Sequence, residues 1–181
     1  IAAEHLPTEG ALHTEDAAIF AENYPERIQE ALRRWAWKSN HVQAALERVR
    51  RKELAHNRAI WLERHHAFPK VVERLQALEN ENIDLVVLTT KGREFTEELL
   101  LHLKLKPKQL FGHESGNKST VLLHLAETHS IKGFLEDRRE TLETILSIKK
   151  LATIPCYLAN WGYLKPKDTI QLPKGIHVLK A

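Results

Sequence analysis

The sequence predicts an α/β fold, with a parallel sheet covered by helices and a purely helical segment before it. From about residue 66 onward, short apolar runs alternate with helical stretches, which is typical of successive βα units. No strand-like alternation occurs before residue 80. Polar residues follow the apolar runs, as they do at the ligand-binding edge of doubly wound sheets. We therefore predict a helical segment over residues 1–65 and a three-layer α/β core over residues 66–181.

The predicted helical segment contains two apolar stripes at helical spacing. Pro25 stands where the first turn of a helix tolerates proline. The first stripe is formed by Ile28, Ala31, Leu32 and Trp35. The second follows a cap at Ser39 or Asn40 and is formed by Val42, Ala45, Leu46 and Val49.

The core begins after residue 66 with a helix whose apolar face includes Val71 and Leu75. The nearly continuous apolar run at 83–88 is typical of a strand that is buried on both faces of a parallel sheet. The alternation then continues through three more helices and three more strands. We predict helices near 92–104, 118–129 and 138–150, and strands at 110–111, 133–135 and 156–159.

Composition excludes several classes of protein. No apolar run approaches the roughly 18 residues that a membrane span requires, so we expect no membrane association. Cys156 is the single cysteine, so an internal disulfide is excluded and we expect a cytoplasmic protein. The net charge of +3 does not by itself indicate nucleic-acid binding. The sequence contains no methionine, even at position 1, which favours a processed or truncated chain or a segment upstream.

Three features at predicted strand ends combine hydroxyl, amine and carboxylate chemistry. Thr89 ends the strand at 83–88, and its hydroxyl with the backbone amides of the next helix can hold a phosphate oxygen; a plain helix cap is the alternative. Lys118 stands at a helix start, where a cation is unfavourable unless it faces an anion; a solvated lysine is the alternative.

The third feature is the acidic pair Glu136 and Asp137, which ends the strand at 133–135. Adjacent carboxylates suit a hard cation such as Mg²⁺, which prefers oxygen ligands. The alternative is charge complementarity with the helix that follows, since acidic residues are favourable at a helix N-terminus.

The order of these features resembles motifs II, III and IV of the haloacid dehalogenase-like (HAD-like) hydrolases, over residues 66 to 163. The resemblance implies a Rossmann-like core with an inserted helical cap. It also implies that Thr89 and Lys118 bind the transferred phosphoryl group and that Asp137, with Glu136, binds Mg²⁺. Within that superfamily, the chain more closely resembles a cyanobacterial subgroup with three short signatures. They are Thr89-Thr90-Lys91-Gly92, Glu136-Asp137-Arg138-Arg139-Glu140-Thr141-Leu142 and Trp161-Gly162-Tyr163.

The chain departs from that family at its nucleophile. The superfamily's motif I is an apolar strand ending in Asp-x-Asp, and no Asp-x-Asp occurs in the 181 residues. That strand normally lies between the strands that end here at Thr89 and Glu136. We therefore expect that the loss of this strand leaves two inner strand edges without their usual partner. The candidates to take its place are an upstream segment and the late apolar stretch at 176–179. Glu136 also replaces a common glycine, and Thr141 stands where a second acid is frequent.

Other functional signals are weaker. Arg48, Arg51 and Arg58 lie downstream of Trp35 and Trp37, a combination that can bind single-stranded nucleic acid. Acidic residues are interspersed among these arginines, which favours a solvated helical face. The histidines lack the spacing of a zinc site.

The sequence therefore predicts a Mg²⁺-dependent hydrolase of the HAD-like type, a phosphatase of a small phosphorylated metabolite. Because covalent phosphoryl transfer requires the missing aspartate, we expect this chain to be inactive by itself. The alternative is a non-catalytic binding or regulatory protein that retains the fold.

Overall fold

The computed structural model describes residues 23–162 and 164–180, so predictions for residues 1–22 and for Tyr163 lie outside the described part. The chain forms two compact units, Ile1–Glu53 and Leu54–Ala181. The helices are α1 (Tyr24–Arg34), α2 (Ser39–Glu63), α3 (Val71–Asn80), α4 (Arg93–His102), α5 (Lys118–Thr128) and α6 (Arg139–Ser147). The strands are β1 (Val86–Leu88), β2 (Gln109–Phe111), β3 (Phe134–Glu136), β4 (Cys156–Ala159) and β5 (Ile176–Leu179). This alternation confirms the predicted α/β class.

The described part of the first unit is helical, as predicted. Pro25 lies in the first turn of α1, where its missing N–H leaves no hydrogen bond unmade. Helix α2 is interrupted at Asn57, whose φ of −142° and ψ of 51° fall outside the helical range. The predicted boundary was after residue 65, whereas the compact units divide after Glu53.

The end of α2 packs against α4 within the second unit. Trp61 and Leu62 are buried with Phe95, and the ring centroids of Trp61 and Phe95 are 6.3 Å apart. Arg58 Nε donates to Glu98 Oε2 at 2.8 Å on the exposed rim of this contact. Burial of two aromatic rings explains why these helical residues belong to the second unit.

The five strands form two separate parallel sheets. In the first, β1 pairs with β2, with Leu88 opposite Phe111. In the second, β4 lies between β3 and β5. The strands are three or four residues long, shorter than the apolar run at 83–88 predicted for β1.

The inner edges of β1 and β3 have no strand partner among the residues that the structure describes. Of the two segments considered for this position, the stretch at 176–179 is excluded because it pairs with the outer edge of β4 as β5. The predicted interruption between the strands ending near Thr89 and Glu136 is therefore present in the described part of the chain.

The main core covers one face of the three-stranded sheet. Its fully buried side chains come from α6, from β4 and from the turn between them, which contributes Leu151. They include Leu142, Ile145, Cys156 and Leu158. Leu88 of β1 packs against the same cluster, which places the two sheets beside one another. Cys156 is fully buried in this cluster, so it belongs to the core as predicted. Its burial raises the pKa of the thiol.

Arg139, the first residue of α6, fixes the connection between β4 and β5. Its guanidinium donates to the carbonyl oxygens of Lys167, Ile170 and Gln171, at 3.3, 2.8 and 3.2 Å. Its Nε also donates to Glu143 Oε1 at 2.7 Å. The planar fork of arginine suits several acceptors at once.

Within the described ranges, every helix is too short or too polar to cross a lipid bilayer.

Candidate functional site

The four residues singled out in the sequence lie at the carboxyl ends of the described strands or just beyond them. Thr89 follows β1 directly, and Glu136 is the last residue of β3, with Asp137 next. Lys118 is the first residue of α5, after the loop that follows β2. Asn117 caps that helix, because its Oδ1 accepts from the Thr120 N–H at 2.8 Å. The cap fixes the start of the helix and therefore the origin of the Lys118 side chain.

Lys118 and Glu136 form a direct ion pair, which connects the loop after β2 to the end of β3. The Glu136 side chain is only 4% exposed and that of Lys118 is 25% exposed. The backbone N–H of Asp137 also donates to Glu136 Oε1 at 3.2 Å. A buried carboxylate needs such partners, because an unpaired charge away from water is costly. Lys118 lies at a helix start, where a cation is unfavourable unless it faces an anion, and Glu136 is that anion.

Desolvation by burial raises the pKa of the Glu136 carboxyl above its ordinary value. The hydrogen bond and the charge of Lys118 act in the opposite direction, while Asp137 adds to the increase. The net direction shows that burial outweighs the lysine.

Thr89 makes contacts on its own side of the interruption between the sheets. Its N–H donates to the Phe111 carbonyl at 2.9 Å and extends the β1–β2 ladder. Its Oγ1 accepts from the Lys91 N–H at 3.1 Å, which closes a tight turn after the strand. The Lys91 Nζ lies 6.0 Å from the centre of the Trp61 ring. Thr89 is half-buried and is positioned by this turn.

The N-terminus of α4 already binds an internal carboxylate. The Arg93 N–H donates to both oxygens of Glu114, at 3.2 and 3.3 Å. Desolvation alone would raise the pKa of Glu114, but hydrogen bonds from its own backbone and from Arg93 lower it overall. The first amide of α4, one of the backbone amides considered for a phosphate, is therefore occupied by Glu114.

Two buried glycines leave room for the Glu114 carboxylate. A Cβ atom at Gly92 would lie 3.3 Å from Glu114 Oε1, and one at Gly112 would overlap Glu114 Oε2 and lie 2.6 Å from the Arg93 nitrogen. A side chain at Gly112 would therefore displace the carboxylate from the helix end. The glycine of the Thr89–Gly92 turn serves this packing.

Asp137 is half-buried, and its side chain lies against the backbone of Gly162 in the turn after β4. Gly162 is the middle residue of the Trp161–Tyr163 signature, and Tyr163 lies outside the described residues.

The donor set fits part of a magnesium site. No group of three or more His, Cys, Asp or Glu side chains suited to a metal is found in the described ranges. Glu136 and Asp137 supply adjacent carboxylates, and Mg²⁺ is commonly held by one or two carboxylates together with waters and substrate phosphates. The two acids would hold such an ion only in part, and Lys118 already occupies one oxygen of Glu136.

An open cleft of about 260 Å³ lies at the opposite end of β1. All of its lining residues precede the first two strands in sequence: Asn82, Ile83, Asp84 and Leu85 before β1, and Lys106 and Lys108 before β2. Ligands of open α/β sheets bind at the carboxyl ends of the strands. We therefore place the candidate site at Thr89, Lys118, Glu136 and Asp137 and not in this cleft.

Sequence reasoning missed Glu114 as a helix cap. Glu114 lies 21 residues after Arg93, so no local spacing indicates the contact. The only hint is the pair of glycines that border the two loops, Gly92 and Gly112.

Searches of protein-family models, of curated proteins and of solved structures find no match to this chain.

Proposed function

We propose that this chain is the phosphate- and metal-binding part of a HAD-like phosphohydrolase acting on a small phosphorylated metabolite. Thr89 and Lys118 bind the phosphoryl oxygens, and Asp137 with Glu136 binds Mg²⁺. The support comes from the residues themselves, because three chemical groups that phosphoryl transfer uses follow β1, β2 and β3 in turn within the second unit.

The contact between Lys118 and Glu136 is the observation that carries the proposal. It joins the predicted phosphate-binding lysine to the predicted metal-binding acid across the interruption between the two sheets. An ammonium group has three N–H donors, so Lys118 can bind Glu136 and still donate to an anion. Its side chain is 25% exposed, so an anion has access to it.

Each residue has a distinct role in this proposal. The Thr89 hydroxyl is held by the Lys91 N–H and retains its own proton to donate to a phosphoryl oxygen. Lys118 stabilises the negative charge that collects on the phosphoryl oxygens. Asp137 and Glu136 would orient Mg²⁺, which when bound supplies charge neutralisation on the same oxygens.

The nucleophile is the missing part. We infer that a strand ending in an aspartate pairs with the free inner edges of β1 and β3 and brings its carboxylate beside Lys118. Without that strand, we expect the 181-residue chain not to hydrolyse p-nitrophenyl phosphate in the presence of Mg²⁺. Hydrolysis that Asp137→Ala abolishes would contradict this expectation and would require a nucleophile within the chain.

Phosphate binding tests the proposal independently of turnover. Calorimetric titration of the folded chain with inorganic phosphate and Mg²⁺ should show binding. We expect Lys118→Gln to weaken it by about tenfold or more, because a charged hydrogen bond contributes roughly 1.5–3 kcal/mol. Thr89→Val should weaken binding as well, whereas Thr89→Ser should preserve it.

Lys149→Gln is the matched control, because Lys149 is an exposed lysine in the turn that precedes β4, at the other end of the sheet. It should bind phosphate like the unmodified chain. Binding that is absent, or that is equally strong in the Thr89→Val and Lys118→Gln variants, would overturn the proposed function.

A non-catalytic binding protein is the second candidate. It is favoured by the fact that Lys118 and the Thr89 hydroxyl both have partners inside the chain. In that case the ion pair is structural, and the Lys118 variant changes the free energy of unfolding without changing phosphate binding.

A further inference from the structure

Asp137 is enclosed on one side by the turn that follows β4. Because β3 and β4 are parallel neighbours, with Glu136 opposite Leu158, the residues after each strand meet at the same edge of the sheet. Gly162 lies in the turn after β4. An added Cβ atom at Gly162 would lie 2.7 Å from Asp137 Oδ2 and 2.9 Å from Asp137 Cγ.

These distances leave no room for any side chain at position 162. Carbon atoms that are not bonded attract one another best at about 3.5–4.0 Å, and closer approaches are repulsive. The Gly162 backbone therefore forms a wall against the Asp137 carboxylate. The Asp137 carboxylate therefore cannot rotate into the space that the turn occupies.

The wall is fixed at both ends. The Gly162 N–H donates to the Ala159 carbonyl at 3.4 Å, and the Leu164 N–H donates to the Gly162 carbonyl at 3.0 Å. The Asn160 N–H donates to the Leu179 carbonyl at 3.0 Å, which ties the start of the turn to β5. The turn therefore cannot yield to a new side chain without breaking hydrogen bonds of the sheet edge.

We propose that Gly162 is a positioning residue, which limits the orientations open to the Asp137 carboxylate and so places it for a divalent cation. This inference rests on the proposed function, because Asp137 is the metal-binding acid of that proposal. Gly162→Ala would push the Asp137 side chain out of place, whereas the other acid of the pair, Glu136, is held separately by Lys118.

The test measures binding of Mn²⁺, used as the probe, by the electron paramagnetic resonance signal of the free ion. We expect the folded chain to bind Mn²⁺ and Asp137→Asn to lose that binding. Gly162→Ala should weaken it by about tenfold, the lower range for residues that orient a metal ligand.

Gly133→Ala is the matched control. A Cβ atom at Gly133 would lie 2.8 Å from the Tyr157 ring, at the other end of β3. This variant disturbs the same strand without touching Asp137 and should bind Mn²⁺ like the unmodified chain. If both glycine variants weaken binding equally, general destabilisation explains the result and the inference is overturned.

The outcomes separate the two proposals. If Asp137→Asn loses Mn²⁺ while Gly162→Ala binds it normally, the positioning role is overturned and the proposed function stands. If the unmodified chain binds no Mn²⁺, the metal site of the proposed function fails, and the positioning role fails with it.

A second measurement covers the case in which Gly162→Ala folds poorly. The free energy of unfolding lost on Gly162→Ala should be smaller in an Asp137→Gly background, because the crowded side chain is gone. An equal loss in both backgrounds would show that the crowding does not involve Asp137 and would overturn the inference.

Discussion

One glutamate contacts hydrogen-bond donors beyond the carboxyl end of β1, and another does so at the carboxyl end of β3, yet the pKa values of the two shift in opposite directions. Near β1, Glu114 accepts from the first amide of α4, and its side chain is 52% exposed. At β3, Glu136 accepts from Lys118, and its side chain is 4% exposed. The pKa of Glu114 is lowered, whereas burial raises the pKa of Glu136.

The difference shows that the donors alone do not decide the charge state. Water remains available at Glu114, so a few backbone N–H groups are enough to favour the carboxylate. At Glu136 burial raises the pKa although the Lys118 ammonium acts in the opposite direction. The β1 end is thus a solvated helix cap, and the β3 end is a buried polar site that depends on each of its partners.

The largest effect is expected from removing Lys118. Lys118→Met leaves the Glu136 carboxylate buried without its cation and should lower the free energy of unfolding by about 3 kcal/mol near pH 8. Chemical denaturation followed by circular dichroism measures this change. Adding Glu136→Leu to the variant should restore most of the loss, because no buried charge then remains. A small effect of Lys118→Met would show that the β3 end is as solvated as the β1 end.

The second-largest difference between the β1 and β3 ends is expected in how the free energy of unfolding depends on pH. A carboxyl whose folded pKa is raised binds more protons in the folded state than in the unfolded state. Its contribution to the free energy of unfolding is therefore full below pH 4.5, the ordinary pKa of a glutamate. That contribution is lost as pH rises through the folded pKa of Glu136. Between these values, the free energy of unfolding should fall with rising pH in the unmodified chain relative to Glu136→Gln. Measurements in chelating buffer exclude metal ions, and parallel pH curves for the two proteins would contradict the raised pKa.

The smallest effect is expected from Glu114. Glu114→Ala removes the carboxylate from the start of α4 and should cost about 0.5 kcal/mol, because the site is largely solvated. Since the pKa of Glu114 is lowered, this contribution is present above 4.5 and is lost as pH falls through its folded pKa. Thermal unfolding of the unmodified chain and of Glu114→Ala at pH 7 measures the cost, and the same comparison at pH 3 measures its loss. A cost as large as that of Lys118→Met would remove the distinction between the two strand ends.

Much of the α/β alternation could be predicted from sequence because it rests on local periodicity. The helix predicted at 118–129 and the strand at 156–159 correspond to α5 and β4 within one residue. The predicted position of Lys118 at a helix start is also correct. Its contact with Glu136 was not predicted, since it joins residues 18 positions apart on different elements.

The remaining features depend on contacts that periodicity cannot detect. Trp61 and Leu62 continue a helix of the first unit in sequence, but they pack with Phe95 of the second unit. Likewise, Gly162 is a plain turn residue in sequence, and only the parallel pairing of β3 with β4 brings it against Asp137. Such contacts are decided by which strands become neighbours.

The three carbonyl bonds of Arg139 have a consequence for local motion. They connect residues 167–171, which lie outside any strand or α-helix, to the first turn of α6. The amides of Asp168 and Ile170 are hydrogen-bonded to the Lys165 and Lys167 carbonyls. They should not exchange with solvent by simple fraying, because the carbonyls of this segment are anchored to a helix that packs on β3 and β4. The connection between β4 and β5 should therefore open only together with α6, as one cooperative unit, although most of residues 167–171 are exposed.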